Sequence, residues 1–404
     1  MHFGPIWRAT LRNKTGAVLI VLQVAFTMAL VLNAIAIAEE RARQMATSSG
    51  VDEPNSFHLR SSGFDPTFDP QQTIEEDLRQ LRGLPGVRAA VQINSVPLLG
   101  GGWGMGLKTE VGQAVENLTG AVYFVDEHAV EALGVEILAG ETFAATDVTW
   151  RMPSTSGWPD KVMLSKAFAE RLFPDDPTYG VGKVVYINET EPMTVVGVMK
   201  TLQTPWTGWT EAIERSMLVP QHLVGDSTMY LVRAEPGQRD ALMPQIESVL
   251  AERDRRRVIQ RMSTMEETRA RGYQLNNALI NILTFTIAVL IGITTLGVAG
   301  LTSFNVNRRT KQIGTRRALG ATRRDVLQYF LSENLLFTSI GVTLGALLAV
   351  GVNIWLVETF SIPRFAWYLV PFAMAAFVAI GQLSVLLPAR RAAAVPPAVA
   401  TRTV

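Results

Sequence analysis

Apolar and polar positions divide this chain into one long aqueous stretch flanked by runs built for a membrane. Gly16 to Ala38 reads GAVLIVLQVAFTMALVLNAIAIA, broken only by polar residues such as Gln23 and Asn33. After a long mixed segment, the chain is uncharged from Gly272 to Asn307, centred on ALINILTFTIAVLIGITTLGVAGLT. Two further apolar runs follow, Asn334 to Val357 and Phe365 to Ala389, the former carrying Asn353. A helix of roughly 20 apolar residues crosses a ~30 Å hydrocarbon core, so four transmembrane helices are predicted. Polar side chains inside such runs usually bond to neighbouring helices, which is the role expected of Gln23, Asn33 and Asn353.

The first run ends in Ala36-Ile37-Ala38 before Glu39, a small-residue pattern that also suits signal-peptide cleavage. Its apolar length exceeds the roughly 7–15 residues of a signal core, so an uncleaved span is the expectation. Three basic clusters then fix the topology. Arg8, Arg12 and Lys14 precede span one; seven Lys or Arg lie in residues 307–328, between spans two and three; Arg390, Arg391 and Arg402 follow span four. All three fall on one side of a four-span chain, and the positive-inside rule assigns that side to the cytoplasm. Residues 39–275 are then expected outside, as is the short connection Glu358 to Arg364.

That outer segment reads as mixed α/β. NSFHLR, the helical PQQTIEEDLRQLRGL and VRAAVQINSVPL form one β-α-β unit, with Gly83, Pro85 and Gly86 stopping the helix. STMYLVRAE, QRDALMPQIESVLAERD and RRVIQRMS repeat the order near the end of the segment. The two units predict one split, porter-like lobe, about 52–96 and 227–263, with a second lobe inserted at about 97–226. The insertion has strand-like KVVYI and MTVVGVM around the helical LSKAFAERLF. Helical sequence at both necks, AEERARQMA and STMEETRARGYQL, predicts that spans one and two continue outward as stalks.

Composition narrows the chemistry. Over 404 residues the net charge is only +1 and 48% are hydrophobic, which gives no case for nucleic acid as a partner. A mean hydropathy of +0.19 suits a few spans joined to a large aqueous domain. There is no cysteine, hence no disulfide, no thiolate metal site and no cysteine nucleophile. His58, His128 and His222 are widely scattered, and Asp126-Glu127-His128 reads as a solvated helix start rather than a metal site. GGGWGMG at 100–106 does not fit G-x-G-x-x-G, GVGKV at 180–184 is not a P-loop, and GDS at 225–227 is not a nucleophile elbow. No catalytic residue, cofactor site or metal site is therefore assigned. Trp206 and Trp209 in TPWTGWT form a candidate docking loop, with burial as the commoner fate of tryptophan.

The basic segment between spans two and three, NRRTKQIGTRRALGATRRDVLQ, holds a single acid, Asp325. It reads as two short helices: one from about Asn307 to Leu319 stopped by Gly320, and one begun by Thr322 with Asp325 as its capping partner. Contact with anionic lipid could account for several of the charges. It does not account for Gly314, Gly320, Ala321 and the cap at Thr322, because orientation needs charge and not a defined turn.

RRTKQIGTRRALGATRRDVLQYFLSENLL resembles the signature of the FtsX-like permease family, R-x-x-E-I-G-x-x-R-A-x-G-A-x-x-x-D-[IV] followed by F-L-x-E. Arg309, Ile313, Gly314, Arg317, Ala318, Gly320, Ala321, Asp325, Val326 and Glu333 occupy its positions, while Gln312 stands where Glu is usual. PARRAAAVPPAVATR at the C-terminus, WRATLRNKTGAVL before span one, and ALGVEILAGETFAATD with VMLSKAFAERLFPDDPTYGVGKVVYINETEPMTVVGVM in the outer segment are similar to the same family and its MacB-type periplasmic core domain.

The resemblance implies an α-helical membrane protein of four transmembrane helices, with a large, two-lobed α/β extracytoplasmic domain of the MacB type inserted between helices 1 and 2. The expected parts are a cytoplasmic amphipathic segment (1–15), spans at 16–38, 276–306, 334–357 and 365–389, the outer domain with its stalks (39–275), a cytoplasmic coupling element (307–333) and a cytoplasmic tail (390–404). The location implied is the inner membrane.

In function, the resemblance implies the permease subunit of an ABC efflux system acting by mechanotransmission. It would bind no cofactor itself, with ATP and Mg on ABC ATPase subunits expected as a separate polypeptide. It would pair with a second permease, like or related, and with a periplasmic adaptor and an outer-membrane channel. The coupling residues implied are Arg309, Ile313, Gly314, Arg316, Arg317, Ala318, Gly320, Ala321, Thr322, Arg323 and Asp325. A non-transporting regulator of envelope hydrolases, or a sensor of antimicrobial peptides, is the alternative from the same family.

Overall fold

The computed structural model describes residues 14–112, 118–154, 157–188, 190–209, 212–260, 262–360 and 364–396. Nearly all of the expected N-terminal segment, and the tail beyond residue 396 with Arg402, lie outside the described residues. The chain divides into two compact units, one of Ala46–Leu275 and one of Met1–Met45 with Asn276–Val404.

In chain order the elements begin with helix α1 (Lys14–Ala46), a 3₁₀ turn at Glu53–Asn55, β1 (Ser56–Gly63), α2 (Pro70–Gly83) and β2 (Val87–Ile93). Next come β3 (Trp103–Leu107), β4 (Leu118–Val125), α3 (Ala129–Leu133), β5 (Ile137–Gly140), β6 (Thr149–Arg151), β7 (Lys161–Ser165), α4 (Lys166–Leu172), β8 (Val184–Ile187), β9 (Glu191–Met199) and β10 (Ser216–Leu223). The outer segment closes with β11 (Ser227–Ala234), α5 (Arg239–Arg253), β12 (Arg257–Ile259), β13 (Ser263–Thr264) and α6 (Met265–Gly272). Three long helices follow: α7 (Gln274–Ala318), α8 (Arg323–Phe360) and α9 (Leu369–Ala393).

Within the outer unit, one sheet runs β12-β1-β11-β2, with β13 also on β1. Helices α2 and α5 cover one face through Ile74, Leu78, Leu81, Leu242, Ile246 and Leu250, packed on Phe57, Leu59, Tyr230 and Val232. The amphipathic spacing of those leucines and isoleucines selects the face each helix buries. Asp77 of α2 is fully buried there, and Arg257 meets it in a bidentate pair while the Tyr230 hydroxyl donates to it at 2.9 Å. A buried carboxylate persists only with partners of this kind.

The second sheet runs β3-β4-β10-β7-β9-β5, with β6 beside β10 and β8 beside β9. It forms the inserted lobe, with a core of its own, and a further apolar cluster joins the two lobes. Ala89, Val91 and Ile93 of β2 and Met229 and Leu231 of β11 share one core with Ala121, Tyr123 and Val125 of β4 and Leu218 of β10. Asn94, just past β2, donates to the Val122 carbonyl at 3.0 Å and accepts from Phe124 N–H at 2.9 Å, extending strand-like pairing from one sheet to the other. Separating the sheets would expose that apolar face to water, so they behave as one body.

In the helical unit, α1 presents Val21, Ala25, Ala29 and Asn33 at four-residue spacing, and α8 answers with Gly341, Gly345, Ala349 and Asn353. A Cβ at Gly345 would stand 3.0 Å from the Ala25 carbonyl oxygen, so the two backbones approach closely. Asn33 donates to the carbonyls of Ala29 and Ala349, and Gln23 donates to that of Ile293 at 3.1 Å. The Thr294 hydroxyl meets that of Thr27 at 2.8 Å. Polar residues in the spans thus join helices. All four long helices are long and apolar enough to cross a membrane.

Two expectations about helix boundaries need correction. The sequence suggested a separate short helix from Asn307 to Leu319; instead α7 runs unbroken from Gln274 through the end of span two to Ala318. Nothing between Val306 and Leu319 breaks a helix, Arg and Lys are good helix formers, and the one glycine, Gly314, is buried within α7. The second correction concerns the stalks. At the first neck α1 does continue to Ala46, but at the second neck the helix is interrupted at Tyr273, between α6 and α7.

Candidate functional site

Helices α7 and α8 meet in a turn whose two ends are finished by different devices. On the α7 side, Gly320 adopts φ 101°, the left-handed region that suits glycine. Its N–H donates to the Arg317 carbonyl at 3.2 Å and the Ala321 N–H reaches back to Arg316 at 3.1 Å, the paired bonds of a Schellman end. On the α8 side, the Asp325 N–H donates to the Thr322 hydroxyl at 3.2 Å, while the Thr322 N–H and hydroxyl both donate to the Asp325 carboxylate. Those bonds from Thr322 hold the Asp325 carboxyl below its usual pKa. Terminal N–H and C=O groups that would otherwise lack partners are thereby satisfied at both ends, and the turn is defined rather than loose.

The coupling residues expected from sequence fall into three groups. Arg309 faces inward: its Nη1 lies 3.1 and 3.2 Å from the two Glu333 oxygens and 3.4 Å from the Tyr329 hydroxyl. Arg317 is half-buried and donates to the carbonyls of Ala393 and Val395 at the end of α9. Ile313 and Gly314 are buried. The third group is open: Arg316, Ala318, Gly320, Thr322, Arg323 and Asp325 are exposed, with Ala321 half-buried among them. Arg309 and Arg317, expected to meet a partner, are instead occupied by the chain itself. Glu333, eleven residues beyond Thr322, is the acid that the first of them answers.

Sequence reasoning passed over Leu319, which is 84% exposed at the apex of the turn. On the two helices that the turn joins, Arg308, Lys311, Arg316, Arg323 and Arg324 are also exposed, and the Arg316 guanidinium lies 5.1 Å from the Tyr329 ring centre. An exposed leucine between helices that carry exposed cations is a surface suited to an acidic partner with an apolar socket. The signal for Leu319 was available: the residue before a helix-ending glycine sits at the helix end, where it has few neighbours.

Elsewhere two readings change. Trp206 and Trp209 do not project as a docking loop: their rings lie 4.4 Å apart, and a Cβ at Gly104 of β3 would come within 2.7 Å of the Trp209 ring. Gly102, against Pro205, and Gly104 thus make room for the tryptophan loop. Asp126-Glu127-His128 does lead into a helix, with His128 at the N-cap of α3, but it is not solvated throughout, since Asp126 is buried and salt-bridged to Arg82 at 2.5 Å. Burial pushes its pKa up, but bonds from His128 and the charge of Arg82 outweigh that and hold the carboxyl low. The three side chains offer ligand atoms within 4.8 Å of one another, yet the guanidinium already neutralises the buried acid.

Comparison with known proteins now decides the family. The MacB-like periplasmic core domain matches residues 17–249, more than half of the chain, and the FtsX-like permease C-terminal region matches residues 284–397. The chain belongs to the MacB-like, FtsX-like permease family. It is thereby a multi-pass ABC-transporter permease chain, with four transmembrane helices and a periplasmic-type core domain between the first and second. Among its relatives, the macrolide export ATP-binding/permease protein MacB of Bordetella avium is 27% identical over 300 residues, 70% of this chain and 43% of that protein. The MacB of Agrobacterium fabrum is 29% identical over 281 residues, 65% of this chain and 40% of its own length. The chain thus spans about two fifths of the length of these curated relatives. The crystal structure of the periplasmic region of MacB from Actinobacillus actinomycetemcomitans matches 56% of this chain and 95% of its own, at 12% identity and a TM-score of 0.35.

Proposed function

We propose that this chain is the permease of an ABC efflux system that works by mechanotransmission in the inner membrane. An ABC ATPase, holding ATP and Mg, docks on the α7–α8 turn. Its closure moves α1 and α7, and through them the outer domain expels a periplasmic substrate: a drug, a peptide or a lipid-linked cargo. A second permease, an adaptor and an outer-membrane channel complete the assembly. Support for export comes from relatives named for macrolide export. The single observation that carries the reading is the turn itself: capped on both sides, exposed, and presenting Leu319 between two helices that carry exposed Arg and Lys.

The reading requires the turn in the cytoplasm and the α/β domain outside. Because the chain has no cysteine, single introduced cysteines report sidedness without background. In spheroplasts, a membrane-impermeant maleimide should label Phe64→Cys and Val258→Cys, both exposed in the outer domain, and should label Leu319→Cys only after permeabilisation. Labelling of Leu319→Cys in intact spheroplasts would overturn the docking site.

A further inference from the structure

Each neck of the outer domain is bound to the domain by contacts of its own. Just past α1, the Gln203 N–H donates to the Ser49 carbonyl at 2.9 Å, and a Cβ at Gly50 would stand only 2.0 Å from the Thr201 carbonyl oxygen. At the other neck, Thr264 and Glu267 form a capping box that starts α6, and Thr268 bonds His58 of β1 at 2.9 Å. A Cβ at Gly272, where α6 ends, would come within 2.5 Å of the Leu98 carbonyl oxygen, a backbone atom that has little freedom to retreat. Leu98 itself is buried with φ 66°, so the chain holds a strained residue at this junction.

One side chain joins the two necks. Arg269 of α6 donates from Nε to both Glu53 oxygens, at 2.9 and 2.8 Å, and from Nη2 to the Thr47 carbonyl at 2.9 Å. Thr47 is the first residue beyond α1. The same guanidinium lies 5.7 Å from the ring centre of Tyr273, the single residue between α6 and α7. Glu53 is further held by the Ser49 hydroxyl. Arg269 and Glu53 are 23% and 17% exposed, so the pair is shielded well beyond an ordinary surface bridge.

We infer that Arg269 is a positioning residue that clasps the two necks, so that displacements arriving through α1 and through α7 enter the outer domain together. A planar guanidinium bonds in two directions at once, here to a carboxylate and to a backbone carbonyl. Lysine has one compact ammonium and cannot span both. The helix assignment breaks at Tyr273, one residue before α7 begins, and the Arg269 guanidinium lies over the ring of that residue, so the clasp acts where α6 hands over to α7. This inference rests on the reading that ATP hydrolysis moves the outer domain.

Hydrogen exchange on the full chain, assembled with its ATPase in nanodiscs, tests it in two stages. Without nucleotide, Arg269→Ala should raise exchange at residues 47–53 and 272–274 about tenfold or more, while the strands β1 and β11 stay protected. Arg269→Lys should keep residues 53–55 near wild type and loosen residues 47–50, separating the bond to Thr47 from the pair with Glu53. With ATP and vanadate, wild type should show a change of exchange in the outer domain, and Arg269→Ala should lose it while hydrolysing ATP at a normal rate. Unchanged necks in Arg269→Ala, or a full nucleotide response in that variant, overturns the clasp and leaves the export reading standing. A wild-type protein whose outer domain ignores nucleotide overturns the export reading, and the clasp's part in force transfer with it.

Discussion

Arg317 donates from Nη1 to the carbonyl oxygens of Ala393, at 3.1 Å, and Val395, at 2.8 Å, and so fastens the start of the α7–α8 turn to the end of α9. Those carbonyls belong to a helix C-terminus, where the partial negative charge of the peptide dipoles favours a cation. The arginine therefore stabilises the tail, and it is not free to meet a partner. Arg317→Ala is expected to cost about 1 kcal/mol locally and to raise hydrogen exchange over residues 390–395. Arg316→Ala, which removes an exposed residue one position away, should leave that segment protected. Equal protection in the two variants would contradict the assignment.

Arg309 and Glu333 form the second internal tie, at 17% and 11% side-chain exposure. Removing either partner strands a largely buried charge, so Arg309→Met or Glu333→Leu should each destabilise by roughly 2–3 kcal/mol. The double variant Arg309→Met/Glu333→Leu should recover part of that loss, because no unpaired charge remains. Thermal unfolding in matched detergent gives the cycle; additive losses would show that the two residues act separately.

His58 makes stability depend on acidity. Its burial, with the charges of Arg271 and Arg60 adding to it, lowers the imidazole pKa from 6.5 to about 4. As pH falls the unfolded chain takes the proton first, so the contribution of neutral His58 is fully present above about 6.5 and is lost towards about 4. The whole effect amounts to about 3 kcal/mol, of which about 2 kcal/mol is gone by about pH 5. His58→Gln, which keeps a donor for Thr268, should flatten denaturant midpoints between about pH 6.5 and 5 relative to wild type. Parallel pH profiles for the two proteins would remove His58 as the cause.

What was legible in the sequence follows from range. Uncharged apolar runs long enough to cross a bilayer declare themselves, because few other settings tolerate them. The turn was equally readable, since Gly320, Thr322 and Asp325 lie within a few residues of one another and act through local bonds. Contacts between distant residues were not. Arg309 and Arg317 look alike as basic residues of one helix, and only the fold reveals that Glu333 and the Ala393 carbonyl consume them. The glycine run at 100–106 carried no phosphate-loop spacing, and the use of Gly102 and Gly104 as a seat for the loop that holds Trp206 and Trp209 depends on a segment some hundred residues away. Likewise, the β-α-β order and the strand-like runs of the insertion predicted two lobes and could not show that β2 and β4 share one core.

The central claim is that the α7–α8 turn transmits force between an ATPase and the membrane helices, and Gly320 isolates it. No atom within 4 Å would obstruct a side chain there, so a substitution acts only through its φ of 101°. A β-branched residue disfavours that conformation and must shift the angle at which α7 gives way to α8. Pull-down of the ATPase by wild-type and Gly320→Val protein, in matched detergent and at matched expression, together with ATP hydrolysis by the recovered complexes, is the most direct measurement. The account predicts normal insertion with ATPase recovery reduced several-fold, or recovery intact but hydrolysis no longer responsive to the permease. Equal recovery with unchanged permease-dependent hydrolysis would contradict it.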